Sequence, residues 1–192
     1  MTATMSTEVA GPTRSDLLAL GRRRFLASQR LDMQAMAAEL GVSRTTVYRW
    51  AGNHDQLLGE VLSGLTFATF RASERVVRHH GRARVLAVYT NFVTYVAASA
   101  AVADALRRDP HQFFRVATKS GPVHRAATVL CEEMMQREVE RGALELAAPV
   151  HELASAMVRV TETGLYADML AGGEPDIDRL REIVALLLLP PR

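Results

Sequence analysis

The chain has a single cysteine, Cys131, among its 192 residues. One cysteine cannot form a disulfide within the chain, and it cannot supply a zinc site built from several cysteines. The longest apolar run, Ile183 to Leu189, is far too short to cross a lipid bilayer. The opening residues MTATMSTEVAGP also lack the basic and apolar parts of a secretion signal. We therefore expect a cytoplasmic protein that does not enter a membrane.

Signatures of catalysis are also missing. His151 and Glu152 begin like a zinc-protease helix motif, but Ser155 stands where the second histidine is required. His124 and Cys131 lie two helical turns apart, which is too far for a hydrogen-bonded nucleophile and base unless the helix bends. No glycine-rich phosphate-binding loop occurs. We expect no metal and no cofactor, and a small helical enzyme is the least favoured class.

Apolar residues recur at helical spacing along most of the chain, and no segment alternates like a strand. Breaks at glycine and proline divide the chain into nine or ten predicted helices. The first runs from about Thr13 to Ser28, and the longest from about His54 to His80. The sequence predicts an all-α protein with a disordered N-terminus (residues 1–12) and a three-helix head (residues 13–53). The long helix joins this head to a helical body (residues 54–192).

The segment MQAMAAELGVSRTTVYRW, which begins at Met33, has a pattern typical of a helix-turn-helix. Gly41 ends the first short helix, because glycine adopts positive φ without a Cβ clash. Ser43 is placed to cap the second helix, whose apolar residues Val47 and Trp50 face the first. An ordinary helical hairpin explains the segment less well, since so short a helix would carry many polar side chains and only two apolar anchors. We therefore favour DNA binding.

Charge adds little to this prediction. The formal net charge is +2, although residues 61–125 carry ten basic against three acidic side chains and residues 126–192 carry six against twelve. Affinity for DNA would then depend on a few placed arginines. The run Arg22 to Arg24 in the first helix is either a solvated face or a phosphate contact.

Residues 13–62 resemble the TetR family of bacterial transcriptional regulators. The resemblance rests on a basic first helix, on MAAELGVSRTTVYRW, and on HDQLL at the start of a long helix. Tyr48 matches a tyrosine that typically touches phosphate in the family. Three positions depart from the family pattern: Trp50 replaces His or Tyr, Ala51 replaces Phe, and His54 replaces a lysine that commonly contacts phosphate. The predicted DNA-binding residues are Gln34, Ser43, Arg44, Thr45, Thr46, Tyr48, Arg49 and His54.

The body is similar to the QsdR-type branch, which is associated with the control of lactone breakdown. The family resemblance implies a small-molecule effector in the body, and aromatic and methionine side chains there suit an apolar ligand. Each such residue could equally serve core packing. Glu162 could orient a ligand or pair with Arg159. The predicted ligand-binding residues are Phe67, Phe70, Tyr89, Phe92, Val93, Phe113, Phe114, Cys131, Met134, Met157 and Thr161.

The last helix contains IVALLLL, which is apolar around its whole circumference and must be covered. The resemblance implies a homodimer through residues 149–172 and 176–189, and two-fold symmetry suits a pseudo-palindromic operator in double-stranded DNA. We expect a regulator, most simply a repressor, that a mostly apolar effector such as a lactone or acyl compound releases. The alternative is a constitutive DNA-binding protein without an effector.

Overall fold

The computed structural model describes residues 11–118 and 121–191, and this part of the chain contains ten helices and no strand. The predicted all-α class is confirmed. The expected disorder of residues 1–12 falls mostly outside the described residues. The helices are α1 (Arg14–Leu26), α2 (Met33–Leu40), α3 (Arg44–Ala51), α4 (His54–Val76), α5 (Gly81–Ala97), α6 (Ala100–Arg108), α7 (Pro110–Ala117), α8 (Pro122–Glu140), α9 (Val150–Leu170) and α10 (Ile177–Leu187).

Side-chain caps fix where the short helices of the head begin. Asp32 accepts hydrogen bonds from the backbone amides of Gln34 and Ala35 at the start of α2, both at 2.8 Å. Gly41 then ends α2 with φ of 66°, as the sequence predicted. The Ser43 hydroxyl accepts a hydrogen bond from the amide of Thr46 at 3.1 Å and so caps α3. These local bonds satisfy amides that the first turn of a helix leaves free.

The inner side of α3 differs in one position from the prediction. Val47 and Ala51 are buried, whereas Trp50 is only half-buried at the edge of the core. Small Ala51 lies one turn beyond Val47 and allows α3 to sit close to its neighbours. The backbone carbonyl of Trp50 accepts a hydrogen bond from Arg14 Nε at 2.9 Å, which ties the end of α3 to α1.

The long helix α4 is shorter than predicted, because it ends at Val76 instead of near His80. Val77 is extended, with ψ of 126°, and its side chain is buried in the body. Arg84 from α5 donates a hydrogen bond to the carbonyl of Val77 at 2.8 Å, which satisfies a carbonyl released at the end of the helix. A contact from the next helix therefore stabilises the end of α4.

Two groups of buried apolar side chains form the interior. The head core contains residues of α1, α2 and α3, the first half of α4, and residues of α6, α7 and α8. The body core lies among the second half of α4 and helices α5, α8, α9 and α10. Among the described residues, no single helix is long and apolar enough to span a membrane, and only the bent pair of α5 and α6 meets the length and composition required.

A buried carboxylate joins three parts of the body. Glu138 on α8 is fully buried and accepts a hydrogen bond from the amide of Gly81 at 2.8 Å. It also pairs with Arg141 at 2.9 Å and with Arg84 at 3.4 Å. Gly81 has φ of 56°, and a Cβ there would lie 2.1 Å from the carbonyl oxygen of Ala143. The turn before α5 is therefore packed directly against the end of α8.

We predict that Glu138→Ala destabilises the protein by about 3 kcal/mol, because it leaves the Gly81 amide and the Arg84 guanidinium without their buried acceptor. Urea unfolding followed by circular dichroism measures this loss. Glu140→Ala is the matched control, since Glu140 is exposed on the same helix and should shift the free energy of unfolding by less than about 0.5 kcal/mol. Equal losses in the two variants would contradict the buried role of Glu138.

Candidate functional site

The outer face of α3 carries polar side chains that no other part of the described structure engages. Arg44, Thr45, Tyr48 and Arg49 are exposed, and Tyr48 has 54% of its surface accessible. Within residues 11–118 and 121–191, neither Arg44 nor Arg49 has an acidic partner. Gln34, at the start of α2, is exposed as well. The arrangement presents two cations, a phenol and a hydroxyl on one short helix, which are groups that recognise phosphates and base edges.

Ser43 and Thr46 hold the beginning of this helix in place. Their hydroxyl oxygens are 2.9 Å apart, and the Ser43 hydroxyl also accepts from the Thr46 amide. Thr46 is half-buried, whereas Ser43 is exposed. Their roles in DNA contact stay predictions, and the structure adds that both hydroxyls fix the N-terminus of α3.

His54 lies at the junction between the head and α7. Its Nδ1 atom is 2.8 Å from the Nε2 atom of Gln112. Next to it, Asp55 accepts hydrogen bonds from Gln112 and from Arg115, each at 2.8 Å. The bond from Arg115 is the main reason why the pKa of Asp55 is lowered from its ordinary value. The predicted phosphate contact of His54 remains a prediction, while its ring and Asp55 already join α4 to α7.

The basic run on α1 divides between two kinds of environment. Arg23 and Arg24 both pair with Glu39 of α2, at 2.8 and 2.7 Å. Arg22 is exposed and has no acidic partner in the described part of the chain. Two of the three arginines therefore connect α1 to α2, which neither interpretation of the sequence foresaw.

An apolar cavity lies in the body between α4, α5, α7, α8 and α9, and we call it the core cavity. It contains seven of the eleven predicted ligand-binding residues: Phe70, Tyr89, Phe92, Cys131, Met134, Met157 and Thr161. The other lining residues are Thr66, Ala117, Val123, Ala127, Val158, Glu162, Leu165 and Tyr166. Its volume of about 50 Å³ has room for only a few water molecules. Four lining residues of α9 follow one another at helical spacing: Val158, Thr161, Glu162 and Leu165. This spacing is the sequence signal from which the contribution of α9 to the cavity could have been predicted.

The other four predicted residues do not line the core cavity. Phe67 is 52% exposed, and the Arg71 guanidinium lies 5.1 Å from its ring centroid. Val93 is fully buried in the body core. Phe113 and Phe114 pack edge-on against Tyr166, with ring centroids at 5.3 and 6.2 Å. Helix spacing alone could not separate these positions from the cavity wall, because the crossing of α7 and α9 sets their direction.

Several polar groups lie in or beside the core cavity. Glu162 Oε1 is 2.9 Å from His124 Nδ1, so its hydrogen-bond partner is His124 and not Arg159, the partner that the sequence offered as one alternative. Burial raises the pKa of Glu162 despite the nearby imidazole. The hydroxyls of Thr161 and Tyr89 are 3.2 Å apart, and burial raises the pKa of Tyr89 to about 12. Both phenols of the cavity, Tyr89 and Tyr166, therefore stay neutral and can donate hydrogen bonds.

Cys131 is also neutral. The thiol is buried in the cavity wall, and burial raises its pKa to about 12. A thiol with so high a pKa is a poor nucleophile. Among the described residues, no group of three His, Cys, Asp or Glu side chains is arranged to hold a metal ion.

Comparison with known proteins agrees with this architecture. Residues 80–189 match the family model described as tetracyclin repressor-like, C-terminal domain. The fold is similar to that of the TetR-family transcriptional repressor QsdR of R. erythropolis, with 31% identity and a TM-score of 0.88, over 94% of this chain and 98% of that one. The predicted similarity of the body to the QsdR-type branch is confirmed.

Two more distant structures show the fold alone. AlkX from Dietzia sp. strain DQ12-45-1b, a repressor implicated in n-alkane biodegradation, has 22% identity and a TM-score of 0.65, over 92% of this chain and 95% of that one. The fatty acid degradation regulator FadR from Bacillus halodurans has 12% identity and a TM-score of 0.55, over 92% and 97%. A sequence comparison with curated proteins found no significant match.

We predict that Glu162→Gln changes the pH dependence of stability. Since burial raises the folded-state pKa of Glu162, its carboxyl group favours folding most at low pH and loses this contribution as pH rises through the raised pKa. Glutamine keeps the hydrogen-bonding shape without a buried charge. The stability of the variant relative to the native chain should therefore increase from pH 4.5 to pH 8.

Thermal or urea unfolding at several pH values measures this difference. Glu152→Gln is the control, because Glu152 is exposed on the same helix and should give a nearly constant difference. If the stability difference between Glu162→Gln and the native chain does not change with pH, the prediction is wrong. The Glu162 carboxylate would then be well solvated, or His124 would fully offset the cost of burying its charge.

Proposed function

Because this chain belongs to the TetR family of transcriptional regulators, we propose that it is a ligand-responsive repressor that binds a pseudo-palindromic operator as a homodimer. The observation that supports this most directly is the outer face of α3, where Arg44, Tyr48 and Arg49 are exposed and without partners among the described residues. A relative with 31% identity is named a transcriptional repressor, which favours repression over activation. We infer a cytoplasmic location, where operator DNA is accessible.

We propose that α3 enters the major groove. Thr45 and Arg49 lie on the side of α3 that faces away from the buried Val47 and Ala51. In this orientation Thr45 reads base edges, while Arg44 and Tyr48 reach phosphates on the flank of the groove. We propose that Gln34, Ser43 and Thr46 also contact the DNA.

The effector would be a mostly apolar compound such as a lactone or acyl compound, bound with its apolar part in the core cavity. Aromatic and thioether side chains from Phe70, Phe92, Met134 and Met157 supply the apolar wall. Ligand pockets usually measure roughly 300–1,000 Å³, so a cavity of about 50 Å³ must widen to admit such a compound. Binding would therefore displace the helices that line the cavity.

Helices α6 and α7 offer a route from the core cavity to the head. Ala117, at the end of α7, lines the cavity. The same helix holds Asp55 through Gln112 in its first turn and Arg115 in its last turn. Helix α6 donates a hydrogen bond from Arg108 to the carbonyl of Ser28 at 2.6 Å. A displacement of α7 would tilt the head. Since half-sites lie about 34–36 Å apart, a change of a few ångströms between the two recognition helices would prevent simultaneous docking.

Dimerisation would use α9 and α10, as the resemblance implies. Helix α10 buries Leu180 and Val184 against its own body, whereas Leu186 is 66% exposed and Leu189 46%. Leu170, at the end of α9, is 49% exposed. This apolar surface is what a partner subunit would cover. The apolar last helix thus covers part of its surface with its own body, and we propose that a partner subunit covers the exposed part.

A constitutive DNA-binding protein without an effector is the second candidate, and it would need no cavity that opens. We infer no enzymatic activity, since the relatives are regulators and the polar groups in the core cavity are neutral phenols, a neutral thiol and a hydrogen-bonded Glu162–His124 pair.

We predict that the double variant Arg44→Ala with Tyr48→Phe weakens binding to all duplex sequences, because it removes a charge and a hydroxyl that contact phosphate. Thr45→Ala should instead relax base preference at one position of each half-site, by about 1–3 kcal/mol of discrimination. The native protein first selects its operator from random duplexes, and gel-shift titration at two salt concentrations then measures each variant.

Arg78→Ala is the control for loss of one positive charge, because Arg78 is exposed in the connection between α4 and α5, away from the head. It should leave the titration unchanged. If the double variant binds the selected operator as tightly as the native protein, α3 has been wrongly assigned as the recognition helix.

We predict that Leu186→Arg produces a folded monomer, because this side chain is exposed in the protomer but faces the proposed partner. A charge buried without a partner in such an interface costs several kcal/mol.

Leu187 is half-buried in its own body core, so Leu187→Arg should also reduce stability and is the weaker test. Analytical ultracentrifugation measures the mass, and Val76→Arg is the control, since Val76 is 63% exposed at the end of α4. A stable dimer of the Leu186→Arg variant would place the interface elsewhere.

A further inference from the structure

A second, larger space lies beside the core cavity. It is an open groove of about 600 Å³ that runs along α4 from Leu62 to Arg75, and we call it the α1 groove because the end of α1 forms part of its wall. Phe25 and Leu26 of α1 face it, with Tyr95 of α5 on the other side. Among the described residues, no acidic side chain lines this groove, and the cationic ones are Arg22 and Arg75.

The α1 groove and the core cavity adjoin each other. Five residues line both spaces: Thr66, Phe92, Ala117, Val123 and Tyr166. A ligand too long for the core cavity would therefore enter the groove where these shared side chains part. Leu26 and Tyr95 are 54% and 58% exposed, so the groove offers apolar surface that such an extension would cover.

The position of the junction favours Arg22 as the contact for the outer end of the ligand. Thr66 is four residues from Leu62, which is about 6 Å along the helix axis, and Leu62 lies at the α1 end of the groove. Arg75 is nine residues from Thr66 in the opposite direction, about 13 Å away. A chain that leaves the cavity at Thr66 thus meets α1 first.

Arg22 is available for this contact. Its neighbours Arg23 and Arg24 are held by Glu39, whereas Arg22 has no acidic partner in the described residues. A guanidinium beside an apolar surface suits a carboxylate, which it can bind through two hydrogen bonds.

We propose that the effector is an elongated amphipathic anion, an acyl carboxylate; this inference rests on the proposed function. Its apolar chain occupies the core cavity, and its carboxylate lies in the α1 groove against Arg22. The ligand then touches the DNA-binding head directly through Phe25, Leu26 and Arg22. Effector binding would displace both α1 and α7. The body would then be coupled to the head at two places.

The test compares free carboxylates with their methyl esters. Octanoate, dodecanoate and their methyl esters are titrated below micelle-forming concentrations into the DNA-free protein by isothermal titration calorimetry. We expect dodecanoate to bind more tightly than octanoate, because the longer chain covers more of the groove. Dodecanoate should also bind about fivefold more tightly than its ester, as expected for one partly exposed ion pair.

Arg22→Gln should abolish the preference for the carboxylate over the ester, while Arg23→Gln, which removes the same charge one residue away, should keep it. A preference that survives Arg22→Gln, or that disappears with Arg75→Gln instead, overturns the placement against α1. If neither octanoate nor dodecanoate binds, the proposed ligand class is wrong. Thermal unfolding by circular dichroism verifies that each variant is folded.

A separate variant tests the proposed function independently. Ala127→Phe fills the core cavity without touching the α1 groove, since Ala127 lines the cavity only. It should weaken dodecanoate and its ester alike, and it should prevent dodecanoate from releasing the native-selected operator in a gel shift. If Ala127→Phe abolishes binding but Arg22→Gln has no effect, the effector function stands and the Arg22 contact is wrong. If dodecanoate binds and Ala127→Phe changes neither binding nor release, the core cavity is not the effector site.

Discussion

Helix α4 is the constraint on which the rest of the molecule depends, because its apolar residues are buried in two successive cores. Leu57, Leu58, Val61 and Leu62 belong to the head core, and Phe70 belongs to the body core. At 23 residues the helix is about 34 Å long. Protein interiors are close-packed, so the two ends of such a helix cannot shift independently without opening one of the cores. The position of the head therefore depends on the packing of the body.

The second connection between head and body is polar. Asp55 is held by Arg115 and Gln112 of α7, while Arg108 of α6 reaches the carbonyl of Ser28, a residue with φ of 55°. Hydrogen bonds between partly exposed groups cost less to break than apolar packing in a core. This connection can yield or re-form while the buried face of α4 stays intact, which is the behaviour required of a switch between two arrangements.

The core cavity and the α1 groove adjoin each other and differ in their linings. The cavity is mainly apolar, with Glu162, two threonines and the phenols of Tyr89 and Tyr166 as its polar groups. The groove carries apolar surface and the cationic residues Arg22 and Arg75. The proposed ligand, with one long apolar portion and one polar terminus, matches both linings. Side chains of α1 in the head line the groove, so the proposed ligand would contact the head and the body together.

The local features of the fold were determined by the sequence alone. Gly41 and Ser43 marked the turn of the helix-turn-helix, and the exposed face of α3 followed from the spacing around Val47. Seven of the fifteen residues that line the core cavity were also predicted. These features depend on residues within a few positions of one another, where propensity, capping and helical spacing decide the outcome.

The tertiary structure decided the remainder. Helix α4 ends at Val76, where Arg84 binds the carbonyl of Val77. Glu162 pairs with His124, 38 residues away in the chain. Phe113 and Phe114 pack against Tyr166 and do not line the core cavity. Each of these outcomes depends on the angle and distance at which two helices cross, and those are set by the packing of the whole core, which no local pattern of residues encodes.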